Sequence, residues 1–238
     1  MSNNLPSSVF SHVISTLPAA LTSSLFPNPV PPLSIVEAVT VQVVNLYYEN
    51  PNLLPVEGFG YLIPKSIPPE QNPENVLGVI FPQSSFRQEN EIAAGTRLTI
   101  MMGGHYWNGR TVFPSEQEAI ENARNVLKRH LRIVDPPALA MVSTNQNCIP
   151  QYTVGHSARM GFAHELMKIQ WGGRVAVAGP SYRGVGINDS TRSAYEVVKQ
   201  LLTAGSPLGL EREEWTGLSY FAGPDMLRIE KKKTKFIW

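Results

Sequence analysis

The chain has 238 residues, 42% of them hydrophobic, and a formal net charge of +1 at pH 7. This length and composition suffice for one large core, or for one domain and part of a second, and the near-neutral charge gives no reason to expect a nucleic-acid partner. The single cysteine, Cys148, excludes an intrachain disulfide, and no run approaches the roughly 18 consecutive apolar residues of a membrane-spanning helix.

The first half of the chain is dominated by short strand patterns. Ser11–Ser15 is an apolar run typical of a buried strand, and the leucine spacing of Leu17–Phe26 predicts a helix. Four further strands are predicted where β-branched and aromatic residues recur between proline- and asparagine-rich connections. These are Thr40–Tyr48, Gly60–Pro64, Val76–Phe81 and Thr96–Met102. Such a series of strands favours a mostly antiparallel sheet.

Two helices are predicted between residues 115 and 170. Ser115–Leu131 opens with an S-x-x-E capping box formed by Ser115 and Glu118. A strand is predicted at Leu139–Ser143, and a second helix at Ser157–Gln170. The apolar stripe of this second helix comprises Met160, Ala163, Leu166 and Met167.

A strand, a glycine-rich turn and a helix follow between Arg174 and Ala194. Val175–Ala178 is continuously apolar, which is typical of a strand covered on both faces. The helix is predicted from about Ser190 to Leu202, with Asp189 as its N-cap. Its predicted inward residues are Ala194, Val197, Val198, Leu201 and Leu202. This order aims a helix N-terminus at an anionic or oxygen-rich ligand.

The strand–turn–helix segment represents one half of a cofactor site. A dinucleotide site normally also needs an upstream G-x-G-x-x-G turn, and none occurs in this sequence. After Thr203 the helical pattern decays into an irregular tail with a basic cluster at Lys231–Lys235, which we interpret as solvated rather than as a lipid-binding patch.

Three other kinds of site are excluded by spacing. Gly179–Gly184 resembles a hydrolase nucleophile elbow but is one residue too long, and the last histidine, His164, precedes its serine instead of following it. No G-K-[ST] is present for a P-loop. The five histidines lack paired ligand spacing, so we expect no metal site.

Four motifs stand out together, and in this order they closely resemble the C-terminal half of the protoporphyrinogen oxidases. The motifs are Gly58–Pro64 (GFGYLIP), Met102–Gly104 (MGG), Cys148–His156 (CIPQYTVGH) and Ala178–Asp189 (AGPSYRGVGIND). The family comprises FAD-dependent enzymes of haem biosynthesis within the monoamine-oxidase-like flavoprotein superfamily. The resemblance runs from about Ser11 to Leu202 and is to the fungal, mitochondrial form.

The resemblance implies an α+β and α/β fold. It assigns residues 1–16 to a strand of the FAD-binding domain, 17–146 to a substrate-binding domain with an antiparallel sheet, 147–204 to the C-terminal part of the FAD-binding domain, and 205–238 to an irregular tail. The FAD-binding domain is of the glutathione-reductase-like type. We expect its N-terminal Rossmann part to be missing from this chain, which would make the chain a fragment with an arbitrary start.

Site residues also follow from the resemblance. Val185, Gly186 and Ile187 would contact the isoalloxazine or ribityl part of FAD, because a residue without Cβ lets the main chain approach a flat ring. A second predicted set would line the tetrapyrrole pocket with apolar side chains. This set comprises Gly60, Leu62, Ile80 and Met101. No catalytic base is evident, and we name none.

The implied reaction is the oxidation of protoporphyrinogen IX to protoporphyrin IX, with O2 as acceptor and H2O2 as by-product. The resemblance further implies peripheral association with the mitochondrial inner membrane and leaves a homodimer open. Two alternatives remain from the sequence. One is a non-catalytic module that binds porphyrin or a partner, and the other is a different amine-oxidase-like FAD oxidoreductase.

Overall fold

The computed structural model describes residues 9–82, 95–204 and 209–210. The chain divides into two compact units, which we call the sheet unit (Glu37–Ile149) and the helical unit (Met1–Val36 with Pro150–Trp238). Elements are numbered in chain order. The predicted tail 205–238, with its Lys231–Lys235 cluster, lies outside the described residues except for Gly209 and Leu210.

The sheet unit contains a five-stranded sheet with the order β3-β4-β5-β2-β6. Its strands are β2 (Ala38–Tyr48), β3 (Gly60–Leu62), β4 (Val76–Ile80), β5 (Thr96–Gly103) and β6 (Leu139–Pro150). The β2–β5, β3–β4 and β4–β5 pairs are antiparallel. The predicted mostly antiparallel sheet is therefore confirmed, and β6 continues well past its predicted end at Ser143.

One face of this sheet packs against helix α3 (Glu116–Leu131). The predicted capping box is present: the Glu118 N–H donates to Ser115 Oγ (3.3 Å), and the Ser115 N–H donates to Glu118 Oε2 (2.8 Å). The helix ends at Arg132, which adopts a left-handed conformation with φ 60°. Apolar residues of α3 complete the core of the unit, namely Ala119, Ala123, Val126, Leu127 and Leu131.

The helical unit is built around a parallel pair of strands, β1 (Val13–Ser15) and β7 (Val175–Val177). Its helices are α1 (Ala19–Ser24), α2 (Pro31–Ser34), α4 (His156–Trp171), α5 (Pro180–Arg183) and α6 (Ile187–Ala204). All three β7 residues are buried, as predicted for a strand that is covered on both faces.

Residues 17–36 lie in the helical unit, whereas the predicted substrate-binding domain begins at residue 17. The physical reason is that α1 and α2 supply apolar side chains to the same core as α4. That core includes Ala19, Leu33, Met160, Ala163, Met167 and Leu210. Leu210, part of the predicted irregular tail, is therefore buried.

The inward face of α6 differs from the prediction. Ser193 and Val197 are buried, whereas Val198 and Leu202 are 47% and 80% exposed and Ala194 is exposed. Residues four apart share a helix face. The predicted inward positions Val197 and Leu201 are buried and partly buried, whereas the predicted row Ala194, Val198 and Leu202 faces solvent. None of the described helices, α6 included, is long and apolar enough to cross a bilayer.

Candidate functional site

The three predicted cofactor-binding residues lie together between α5 and the start of α6. Val185 and Ile187 are 52% and 83% exposed, and Gly186 between them is exposed as well. Ile187 is the first residue of α6, and the first N–H groups of a helix have no intrahelical acceptor. This segment, which we call the exposed edge (residues 185–187), thus combines apolar side chains with accessible backbone.

Asp189 is not the N-cap of α6, so that prediction was wrong. The Ser190 N–H donates to the Gly186 carbonyl (3.0 Å), which places the helix start earlier. Asp189 instead lies in the first turn, where a carboxylate also suits the positive end of the helix dipole. Its carboxyl packs against Gly184, since a Cβ there would lie 2.5 Å from Asp189 Oδ2.

Tyr152 holds both ends of α5 through its phenol oxygen. The Gly184 N–H donates to Tyr152 Oη (2.6 Å), and the same hydroxyl donates to the Pro180 carbonyl. Burial raises the pKa of Tyr152 to about 12. The phenol therefore keeps its proton at neutral pH and remains a donor to Pro180.

His156 adds a third backbone contact to the same turn. Its ring stacks on that of Tyr152, with centroids 4.1 Å apart and planes inclined by 14°. Nε2 lies 3.1 Å from the Tyr182 carbonyl. Because a carbonyl oxygen accepts, Nε2 carries the proton. Burial lowers the pKa of His156, which favours the neutral ring.

The opposite side of α5 is tied to the segment around α1. Tyr182 Oη donates to the Leu17 carbonyl (3.1 Å) and lies 3.1 Å from Thr22 Oγ1. The Ala19 N–H donates to Ser181 Oγ (3.1 Å). Burial raises the pKa of Tyr182 to about 12, so this hydroxyl also stays protonated. The turn before the exposed edge is therefore held from two sides.

The predicted substrate-binding residues lie in the sheet unit, on the sheet face opposite α3. Gly60 of β3 pairs with Ile80 of β4. Leu62 pairs with Gly78, which in turn pairs with Met101 of β5. Directly paired residues share a face. Side chains on the other face, such as Val79 and Ile100, belong to the core that α3 completes. The structure thus brings all four predicted residues onto one face, with Leu62 77% exposed.

Gly60 has a local reason for being glycine. Its φ is 143°, and a Cβ would lie 2.3 Å from the Val79 carbonyl oxygen of the neighbouring strand. Close approach of β4 therefore requires a residue without Cβ here. A ring contact at Gly60 stays a prediction.

A cavity of about 470 Å³ lies beside β3. Its walls are mostly apolar, and one of its polar groups is the Tyr61 hydroxyl, 3.0 Å from His130 Nδ1. The lining residues are Tyr61, Leu62, Ile63, Pro64, Ile67, Gln71, His130 and Leu131. Neither this cavity nor the hydrogen bonds of Tyr152 and His156 to α5 were predicted from the sequence, because both join segments that are distant along the chain. The motif Cys148–His156 was the available signal for the pair.

Comparison with curated proteins confirms the resemblance that the four motifs indicate. The chain is 38% identical over 164 residues to a Schizosaccharomyces pombe protein named protoporphyrinogen oxidase, covering 68% of this chain and 32% of the relative. Bovine and human proteins of the same name are each 33% identical over 80% of this chain and 40% of their own length. The chain thus spans about a third to two fifths of these relatives. No family model matches it.

Two solved structures share the fold. An Exiguobacterium protein provisionally assigned as a protoporphyrinogen oxidase superposes with a TM-score of 0.66 at 20% identity, covering 80% of this chain and 40% of that one. A reduced UDP-galactopyranose mutase superposes with a TM-score of 0.65 at 8% identity, covering 87% and 44%. At these identities the likeness concerns the fold alone.

Proposed function

We propose that this chain carries the flavin-facing turn and one wall of the tetrapyrrole pocket of a protoporphyrinogen oxidase. The observation that carries the proposal is the 33–38% identity to proteins of that name over 68–80% of the chain. The whole enzyme would oxidise protoporphyrinogen IX to protoporphyrin IX, with O2 as acceptor, as a peripheral protein of the mitochondrial inner membrane.

The exposed edge fits the isoalloxazine end of FAD. Val185 and Ile187 offer apolar side chains, and Gly186 between them has no side chain to keep a flat ring from the backbone. The N-terminus of α6 places N–H groups beside the same surface, where they favour negative charge. Bound FAD would supply a ring that accepts hydride, and O2 would be reduced to H2O2.

The sheet face opposite α3 fits the substrate as an apolar wall. Ile80 and Met101 are partly buried, and Leu62 is largely exposed, so this face has apolar surface available. A porphyrinogen is a large apolar ring whose charges lie on peripheral propionates, and apolar side chains suit its body. The contribution of this chain to the reaction is then binding and orientation, which convert a bimolecular encounter into a positioned one.

We assign the helical unit to a glutathione-reductase-like FAD-binding domain and the sheet unit to a substrate-binding domain. The parallel β1–β7 pair and the adjoining α6 support the first assignment. The sequence holds no G-x-G-x-x-G for the pyrophosphate, so we expect this chain alone to lose added FAD on a desalting column. A stoichiometric flavin spectrum in the eluted protein would contradict that expectation.

A chimeric enzyme tests the proposed function. The segment from about Ser11 to Leu202, over which the motifs resemble the family, would replace the corresponding segment of the S. pombe protein. We expect the chimera to convert protoporphyrinogen IX to protoporphyrin IX, measured by porphyrin fluorescence, and the same chimera with Ile187→Asp to be at least about tenfold slower. A folded, FAD-containing chimera without activity would refute the proposal. Porphyrin quenching of Trp107 and Trp171 in the flavin-free chain would instead favour the non-catalytic alternative.

A further inference from the structure

We infer that Tyr152 and His156 are positioning residues that fix the backbone of the turn leading into the exposed edge, an inference that rests on the proposed function for the role of that edge. Neither residue contacts the flavin in this interpretation. They act on the backbone of α5, and through it they set where Val185, Gly186 and Ile187 lie.

The phenol of Tyr152 spans the two ends of α5. Pro180 is the first residue of this helix, and Gly184 follows its last residue. Tyr152 Oη therefore connects the Pro180 carbonyl at the start of the helix to the Gly184 N–H just after its end. A displacement of either end lengthens one of these two hydrogen bonds. Because Gly184 directly precedes Val185, the bond to its N–H fixes the point from which the exposed edge begins.

His156 restricts the movement of the Tyr152 ring. The two rings are nearly parallel and in contact, while His156 itself is buried and donates to the Tyr182 carbonyl in the middle of α5. Three backbone groups of one short turn are therefore held by two side chains from a single segment. Three residues separate these two in sequence, and one of them, the left-handed Gly155, is the N-cap of α4.

The opposite side of α5 is fixed by different contacts. Ser181 and Tyr182 bond to the segment around α1 through their side chains, which secures the helix within the core. Those bonds leave the Gly184 N–H and the Pro180 carbonyl to Tyr152. Loss of the Tyr152 hydroxyl should therefore release the Pro180 carbonyl and the Gly184 N–H, while α5 stays attached to the core through Ser181 and Tyr182.

Tyr152→Phe in the full 238-residue chain tests the inference, with Tyr61→Phe as the matched control. Both substitutions remove one hydrogen-bonded phenol oxygen, but Tyr61 lies in the sheet unit and bonds to His130. In the flavin-free chain, we expect Tyr152→Phe to speed hydrogen exchange of the Gly184 amide about tenfold, since one net hydrogen bond is lost. We expect Tyr61→Phe to leave that amide unchanged.

Equilibrium titration with FMN, which has the isoalloxazine and ribityl groups without adenine, supplies the functional readout. We expect the dissociation constant from flavin fluorescence to rise about tenfold in Tyr152→Phe and to stay at the wild-type value in Tyr61→Phe. His156→Phe, which removes the bond to Tyr182 alone, should give a smaller rise. This variant keeps the test decisive if Tyr152→Phe fails to fold.

The outcomes distinguish the positioning role of Tyr152 from the proposed flavin contact of the exposed edge. Unchanged Gly184 exchange, or faster exchange with an unchanged FMN dissociation constant, overturns the positioning role. If the wild-type chain shows no saturable FMN signal while Gly184 exchange responds as expected, the proposed flavin contact fails and the hydrogen-bonded turn stands. Faster exchange together with weaker FMN binding supports the positioning role.

Discussion

The carboxyl of Asp189 lies in the space that a side chain on Gly184 would occupy. A Cβ on Gly184 would come within 2.5 Å of Asp189 Oδ2, and Gly184 also has a φ of 154°. Both the clash and the backbone conformation therefore require glycine. This contact connects Gly184, the residue before the exposed edge, to the first turn of α6. A substitution at Gly184 therefore tests the contact directly.

Gly184→Ala should destabilise the chain by about 2 kcal/mol, because the new Cβ meets Asp189 and the backbone conformation is strained for alanine. Gly186→Ala is the matched control two residues away. Its Cβ would lie 3.0 Å from the movable end of the Asp189 side chain, and no left-handed φ is involved. Denaturant unfolding of both variants measures the difference, and equal stabilities would contradict the explanation.

Ser115→Ala should cost about 1 kcal/mol of stability, because Ser115 Oγ accepts the Glu118 N–H at the start of α3. The loss should appear as a lower midpoint of chemical unfolding with an unchanged denaturant slope. Ser157→Ala is the control, since Ser157 lies inside α4 beyond its N-cap Gly155. A Ser115 variant as stable as the Ser157 variant would show that the capping box contributes nothing.

How far the sequence predicts this structure depends on how local each signal is. Ser115 and Glu118 are three residues apart, so their capping box is visible in the sequence and is present in the structure. The extension of β6 beyond Ser143 was missed, because its polar residues are exposed on both faces and show no alternation. Glycine is also an accepted N-cap, and Gly186 lies directly before Ile187, the first residue of α6, three positions ahead of the predicted N-cap Asp189.

The residues of the candidate site were likewise predicted only in part. Sequence resemblance predicted the four sheet residues, and the strand register places them on one face. The hydrogen bonds of Tyr152 were beyond sequence reasoning, since Pro180 and Gly184 come near it only when α5 folds back onto the segment before α4. A phenol with two backbone partners has no spacing rule that sequence alone reveals.

Arg129→Leu should destabilise the sheet unit in a pH-dependent way. Arg129 Nη1 and Nη2 donate to the two carboxylate oxygens of Glu74 at 2.8 and 2.5 Å. Burial acts to raise the pKa of Glu74, but the hydrogen bonds and charge of Arg129 outweigh it and hold the pKa below 4.5. A lowered carboxyl pKa stabilises the fold above the unfolded-state value, and this contribution is lost as pH falls through the folded-state value.

We therefore expect Arg129→Leu to cost about 1 kcal/mol at pH 7, a modest value because the arginine is 38% exposed. The deficit should shrink as the pH falls through the lowered folded-state pKa of Glu74, because the carboxyl becomes protonated there and no longer attracts Arg129. Arg124→Leu breaks the more exposed pair with Glu121 and should change stability less at either pH. A deficit for Arg129→Leu that stays constant as the pH is lowered until Glu74 is fully protonated would rule out the carboxylate as its source.

Ile187→Asp should weaken flavin binding without destabilising the chain. Ile187 is 83% exposed, so its loss costs little packing, and an aspartate at the first position of α6 suits the helix dipole. The unfolding free energy should therefore stay within about 0.5 kcal/mol of wild type. If the exposed edge meets the flavin ring, a carboxylate there loses its hydration on binding, and the FMN dissociation constant should rise at least about tenfold.

Ile169→Asp adds the same charge at a position in α4 that is 78% exposed, which controls for repulsion of the FMN phosphate. Equal FMN affinities of the two variants, measured by fluorescence titration, would remove Ile187 from the site.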